Sequence, residues 1–558
     1  MRLHHFFIFL VSLFLFSLMA RGEEKPNIIL ILADDLGYSD LGCYGGEIET
    51  PNLNKLAEGG LRMSQLYNTA RCCSTRASLL TGLYPHAAGV GAMTADNGLP
   101  GYRGFLTDRS VTIASLLRKA GYGTYLSGKW HLRGKGNPDC IPTERGFDEF
   151  FGHFKAYASF WRKDLFVRLP EDRDKPGYGE DFYATDAITD YGLKFLDQSR
   201  ADGKPAFLYL SYNAPHFPLH APRQMIEKYV KVYEKGWDAI REERHRRMKE
   251  LGLVSEAQEL SPRGRVTKVP NRNLDSPWYD QQIPDWQSLS KERQADLARR
   301  MATYAAMVEI LDRNVGRIVE NVKKNGELEK TLIVFLSDNG ACAEWDPLGF
   351  DNNPYPKNLL YKGAELEKMG QAGTFHSYGT GWANACNTPF RLYKHYNHEG
   401  GISSPAIFHW PDRITARGQL DRQPAHIVDL SATLLKEGGA HYPDEWEGKP
   451  VMPLAGISLN PVWKGEKLPE RPLYFEHEGN RAIRMGKWKL VWTNFREQWE
   501  LYDIEKDRTE LHDLAKEYPD RVAKMEIFWE KWAESNYVEK SKVKQPAAGM
   551  PKIYYFSK

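Results

Sequence analysis

The sequence predicts an α/β chain: a large domain built on a mostly parallel sheet flanked by helices, followed by a small C-terminal α+β domain with an antiparallel sheet. Three observations predict it. Short aliphatic and β-branched runs end abruptly in polar residues, as buried parallel strands do. Helical patterns lie between those runs. After about residue 465 the texture changes to close alternation of apolar and polar residues.

The chain opens with Arg2, an apolar run at 6–19 and small residues at Ala20 and Gly22, the pattern of a signal peptide over 1–22. The run is shorter than the ~20 residues that cross a bilayer, so export to the periplasm or outside the cell, without a stable membrane span, is expected. Four strands follow from NIILILADD (27–35), GTYLSGKWH (123–131), AFLYLSYNAPH (206–216) and TLIVFLSDNG (331–340). Between the last two, Met307, Ile310, Leu311, Val315, Ile318 and Val322 recur at helical spacing within 301–322. The stretch 222–298, densest in charge at REERHRRMKE (241–250), predicts a helical insertion with solvated faces. RPLYFEHEGN, AIRMGKWKLVWT and WELYDIEKD predict antiparallel strands, and 520–532 an amphipathic helix. The expected organisation is a signal peptide (1–22), a catalytic domain (23–465), a small C-terminal domain (466–539) and a basic tail (540–558).

With 558 residues and 42% hydrophobic content the chain can bury a sizeable core. The 75 Lys and Arg nearly balance the 73 Asp and Glu, so there is no electrostatic footprint of nucleic-acid binding, and any anion site must be local. Six cysteines are too few for a disulfide scaffold in a chain this long.

In an open α/β sheet the binding crevice lies beyond the carboxyl ends of the strands, where every polar cluster above falls. Asp34 and Asp35 follow one strand, Asp338 and Asn339 another, and hard oxygen donors of this kind suit Ca²⁺ or Mg²⁺ better than zinc. Cys72 precedes a predicted helix start at 75–80, where free backbone N–H groups favour an anion, and Arg76 can fork onto oxyanions. Lys129 and His131 alternate at a strand end and so face one way. His216 closes the next strand and Lys394 precedes HEGG. Lysines, histidines and an arginine around a divalent cation make a pocket for a compact anion such as sulfate or phosphate. Trp130, Phe217, Tyr378 and Trp382 stand near these motifs and are aromatic candidates for a sugar subsite.

These residues carry a resemblance. From about Pro26 through the C-terminal domain the chain resembles a type I sulfatase of the alkaline-phosphatase-like superfamily, close to the arylsulfatases. The signature C-x-P/A-S/T-R, then Leu and Gly, is matched by Cys72, Cys73, Ser74, Thr75, Arg76, Leu80 and Gly82, with GKWHL, DNG and NTPFRLYKHYNHEGG in support. The resemblance implies that a formylglycine-generating maturase oxidises Cys72 to formylglycine, whose hydrate is the nucleophile. It implies that Asp34, Asp35, Asp338 and Asn339, with residue 72, hold one ion, usually Ca²⁺, with Mg²⁺ second. It further implies that Arg76 and Lys129 neutralise charge, that His216 and Lys394 bind sulfate and protonate the leaving oxygen, and that His131 accepts the proton when sulfate is expelled. Ser74 departs from the pattern, standing where Pro or Ala is usual.

The expected function is hydrolysis of an aryl or carbohydrate sulfate ester, with a sulfated saccharide as the expected substrate. Two alternatives stay open on sequence. One is a phosphonate monoester or phosphodiester hydrolase with the same nucleophile and metal set, separable by rates on aryl sulfates and phosphates. The other is a catalytically silent protein that binds sulfated glycans and keeps an intact thiol at Cys72.

Overall fold

In the computed structural model residues 25–171, 178–179, 181–264, 282–344, 347–351, 358–493 and 497–539 are described. The expected signal peptide, the basic tail and positions 265–281 of the charged insertion lie outside the described residues.

The large sheet has ten strands: β1 (Asn27–Ala33), β2 (Leu61–Tyr67), β3 (Gly123–Lys129), β4 (Glu149–His153), β5 (Val167–Leu169), β6 (Ala206–Ser211), β7 (Thr331–Ser337), β8 (Ser403–His409), β9 (Leu420–Asp421) and β10 (Ala425–His426). Their order is β10-β2-β8-β7-β1-β6-β3-β4-β5, with β9 paired to β2. The four predicted strands are β1, β3, β6 and β7, and with β4 they form an unbroken parallel block. Along β1, Ile28, Leu30 and Leu32 enter one core while Ile29, Ile31 and Ala33 enter the other. That period of two explains why a strand covered on both faces is aliphatic throughout. Register sets Ala33 beside Ser337 and Leu32 beside Ser211, so the residues following these strands emerge at one edge.

The helix expected over 301–322 runs Lys291–Lys324, capped by Ser290, whose side chain accepts from Arg293 N–H. The charged insertion differs from its expected solvated form. Its helices Arg223–Tyr233 and Gly236–Glu250 bury Ile226, Tyr229, Trp237, Ile240 and Met248 in the core. Arg244, inside the densest charge run, is fully buried and pairs with Asp40 and Glu47, each at 2.7 Å. A guanidinium enters a core when carboxylates fork onto it, and charge density in the sequence does not report such partners.

After a two-residue ladder of β11 (Glu445–Trp446) with β12 (Lys449–Pro450), the chain forms an antiparallel sheet in sequence order: β13 (Leu473–His477), β14 (Asn480–Met485), β15 (Trp488–Trp492) and β16 (Trp499–Asp503). Ile483, Leu490 and Leu501 pack on Met525, Trp529 and Trp532 of the helix Pro519–Ser535. The opposite face, with Phe475, Ala482 and Val491, packs on Tyr67, Ala70 and Ile402. Buried ion pairs cross the same junction: Lys489 to Glu399 at 2.8 Å and to Glu510 at 2.9 Å, and Arg508 to Glu399 at 2.9 Å. All six cysteines are free thiols. Among the described residues no helix is long and apolar enough to cross a membrane.

Candidate active site

The aligned ends of β1 and β7 deliver the carboxylates. Asp34 accepts from Lys129 Nζ at 2.6 Å through Oδ2, and its buried Oδ1 has no hydrogen-bond partner among the described residues. Asp35 has φ of 67°, a left-handed conformation that turns its side chain back across the strand end. It accepts from Asn339 Nδ2 at 2.7 Å and from Lys394 Nζ at 2.9 Å, with His216 Nε2 at 3.4 Å. Asp338 accepts from Arg76 Nη2 at 2.7 Å, and Asn339 Oδ1 is a second buried oxygen without a partner.

Cys72 is the first residue of the helix Cys72–Thr81, three residues earlier than the expected start at 75. Its N–H is therefore one of the unpaired donors at the positive end of the helix dipole. Cys72 Sγ lies 3.3 Å from His131 Nδ1. Arg76, one turn on, reaches under the carboxylates and also donates to Lys129 O and to Ser211 Oγ. Ser74 is fully buried and donates to Val90 O at 2.9 Å and to Ala92 O at 3.2 Å, so the hydroxyl at this unusual position is satisfied.

A hydrogen bond with Cys73, aided by Lys129 and His131, holds the Cys72 thiol well below its ordinary range against the effect of burial. Burial pushes Asp34 and Asp338 up, and repulsion from Asp35 on the first and from Asp34 on the second adds to it. Burial would raise Asp35 too, but His216 and Lys394 outweigh it. His131 and His216 are both lowered to about 4 by burial, hence neutral at physiological pH. Lys394 is held well above its ordinary value, because Asp35, Cys342 and Glu344 outweigh burial.

All ten predicted site residues come together at this edge, though one for a different reason. His131 does not continue the strand alternation from Lys129: its φ is 53°, and this left-handed step beyond β3 aims it at Cys72. Of the four aromatic candidates, Phe217 packs on His216 at 4.2 Å, whereas Trp382 meets Trp237 and Trp286 edge-on, Trp130 packs on Phe147 and Tyr378 on Tyr304. The sequence reading missed Ser211 and His153, which end β6 and β4. His153 pairs in register with Lys129, and the strand-end rule applied to FFGH would have found it. It also missed Arg71, Glu344 and His395, whose positions no local pattern announces.

The donor set fits a hard divalent cation. Asp34, Cys72 and Asp338 each offer a ligand atom within 4.8 Å of one another, and the two partnerless oxygens of Asp34 and Asn339 are acceptors still short of positive charge.

The chain is similar to known proteins along most of its length. The Sulfatase family profile matches residues 26–440, and that of the C-terminal region of N-sulphoglucosamine sulphohydrolase matches 390–531. The chain is 33% identical to an uncharacterized sulfatase of Schizosaccharomyces pombe, over 91% of this chain and 93% of that one. It is 34% identical to the arylsulfatase of Klebsiella aerogenes, over 79% and 93%. The crystal structure of Ps i-CgsB in complex with k-i-k-neocarrahexaose superposes with a TM-score of 0.64 at 27% identity, covering 92% of this chain and 94% of that one.

Proposed function

From the premise that this chain belongs to the sulfatase family and is a sulfate ester hydrolase, we propose that it works with formylglycine made from Cys72, beside one Ca²⁺, on a sulfated saccharide. Asp34, Asp35, Asp338 and Asn339 would hold the ion, which when bound supplies a Lewis acid that polarises the sulfate. Formylglycine, as its hydrate, supplies an attacking oxygen and a second hydroxyl that serine lacks.

The chain's own residues do the rest. His131, neutral and 3.3 Å from the side chain at 72, takes a proton there. Arg76 and Lys129, ion-paired with Asp338 and Asp34 beneath the site, offset the charge that grows on the sulfate oxygens. On the other side, His216 Nδ1 is engaged by Phe217 O at 2.6 Å, leaving Nε2 facing Lys394 Nζ at 3.5 Å. Lys394 is the member of this pair that holds a proton at neutral pH, and it delivers that proton to the departing oxygen.

A satellite apolar cluster of Phe217, Cys342, Phe350, Tyr157 and Phe375, separate from both large cores, abuts this leaving-group end. Tyr157 lies nearly parallel to His216 with ring centres 6.3 Å apart, and Cys342 Sγ is 3.9 Å from Lys394 Nζ. We assign it as the wall against which the sugar ring rests. In this reading 1–22 exports the protein, 23–465 is the catalytic unit, 466–539 the small C-terminal unit, and a formylglycine-generating maturase acts on 72–76.

The observation that carries the reading is the convergence of Cys72 with Asp34 and Asp338 beside His131. Cys72→Ser tests it. On 4-nitrophenyl sulfate the variant is expected to release at most one equivalent of nitrophenol per chain, and repeated cycles would refute the hydrate mechanism.

A further inference from the structure

Lys394 does not sit on a strand. It lies in the loop after the helix Gly379–Cys386. The backbone of that loop is tied to the large domain by Lys394 N–H to Ala341 O at 3.2 Å and His395 N–H to Ala70 O at 2.9 Å, and its side chains are held by the C-terminal region. Arg391 donates to Tyr502 Oη at 3.2 Å and to Glu510 O at 2.6 Å. Asn397 donates to Asn480 O at 2.8 Å, and His398 lies 3.2 Å from Glu500. The grip closest to Lys394 is at His395, whose carbonyl accepts from Asn480 Nδ2 at 3.1 Å and whose Nδ1 lies 2.9 Å from Glu478 Oε2.

Glu478 and Gly479 are the two-residue turn of the β13–β14 hairpin, with φ of 53° and 81°. Such turns favour Asn or Asp at the first position, because both central residues adopt φ above zero. Glutamate is a poor turn residue, yet its side chain is only 2% exposed and lies against another part of the chain. Strain tolerated at such a place points to a contact worth keeping. On the other edge of His395, Arg71 Nη1 lies 2.5 Å from Nε2 and 3.1 Å from Glu344 Oε1, and Glu344 is 3.8 Å from Lys394 Nζ. His395, His477 and Glu478 offer ligand atoms within 4.8 Å of one another, but Arg71 already supplies the cation on His395.

We propose that Glu478 is a positioning residue: from the hairpin tip it clamps the His395 ring against Arg71 and so seats the adjoining Lys394 ammonium on Asp35 and beside His216. The inference rests on the leaving-group role given to Lys394 above. It makes the C-terminal sheet part of the catalytic apparatus through its hold on the loop that carries Lys394.

The test is Glu478→Asn, which suits the turn better but removes the reach, with Glu478→Gln as the conservative control, each in the wild-type and Lys394→Ala backgrounds. Expected for Glu478→Asn is a protein with unchanged circular dichroism, with kcat on phenyl sulfate, whose phenolate is a poor leaving group, down about 20-fold and most of the loss restored by Gln. In the Lys394→Ala background the same change should cost less than about 2-fold, since the two residues act through one contact. Wild-type kcat in Glu478→Asn, or an equal loss in both backgrounds, overturns the proposal. Lys394→Ala at wild-type rates would instead overturn the role of Lys394, and this inference with it.

Discussion

Two of the three strand-end aspartates, Asp34 and Asp338, respond to burial in the opposite sense to the carboxylates at the C-terminal junction, although both sets are buried. At Asp34 and Asp338 burial prevails and the carboxyls are pushed up, while at Glu399, Glu478 and Glu500 burial is outweighed by neighbouring cations or histidines and they are pulled down. The first group is unbalanced in its acceptors: each aspartate has Lys129, Lys394 or Arg76 beside it, yet Asp34 and Asn339 keep partnerless oxygens. Glu399, by contrast, is met by Lys489 and Arg508 together. A cluster that leaves buried acceptors unfilled is built to receive something; one that balances itself is built to hold a joint.

Breaking the unbalanced cluster should have the largest effect. Asp338→Ala is expected to lower kcat/KM by about 1,000-fold or more in a protein whose circular dichroism is unchanged, because it removes a cation donor and strands Arg76. Near-normal turnover in that variant would discredit the metal site. Next, chelation should lower the melting temperature by several degrees and added Ca²⁺ should restore it, as for any ligand bound only by the native state.

The balanced cluster should respond to acid. Glu399 is lowered to about 2: burial would raise it, but Lys489 and Arg508 outweigh that. A depressed carboxyl contributes stability that is complete above its unfolded value, near 4.5, and is lost as pH falls towards 2. Melting temperature measured from pH 7 down to 2 should therefore hold to about pH 4.5 and then fall, and Glu399→Gln should flatten that descent. The smallest effect is expected at Ser74→Ala. Its two hydrogen bonds to backbone carbonyls predict a loss of about 1 kcal/mol in stability by denaturant melts, with kcat within about 2-fold of wild type.

The same contrast marks what was legible in the sequence. The strand-end carboxylates, Lys129 and the parallel block could be read because an aliphatic run announces where a strand stops, and parallel register then brings the stops together. Cys72, Arg76, His216 and Lys394 could be located by their motifs, but the helix beginning at Cys72 and the left-handed step at His131 are backbone choices set by tertiary packing. The junction was opaque. Arg244, Arg71 and Glu478 find partners more than 80 residues away in sequence, so local charge density misread the first and gave no hint of the others. Pairwise satisfaction of buried charge is a property of the folded chain alone.

The account turns on the chemical state of residue 72. Arg71 and Arg76 bracket a tryptic peptide of 72–76, and its mass in protein from the native host, with hydrazide labelling, reports that state directly. An aldehyde at position 72 beside an intact Cys73 thiol is predicted; two intact thiols, in protein that still turns over sulfate esters, would contradict it.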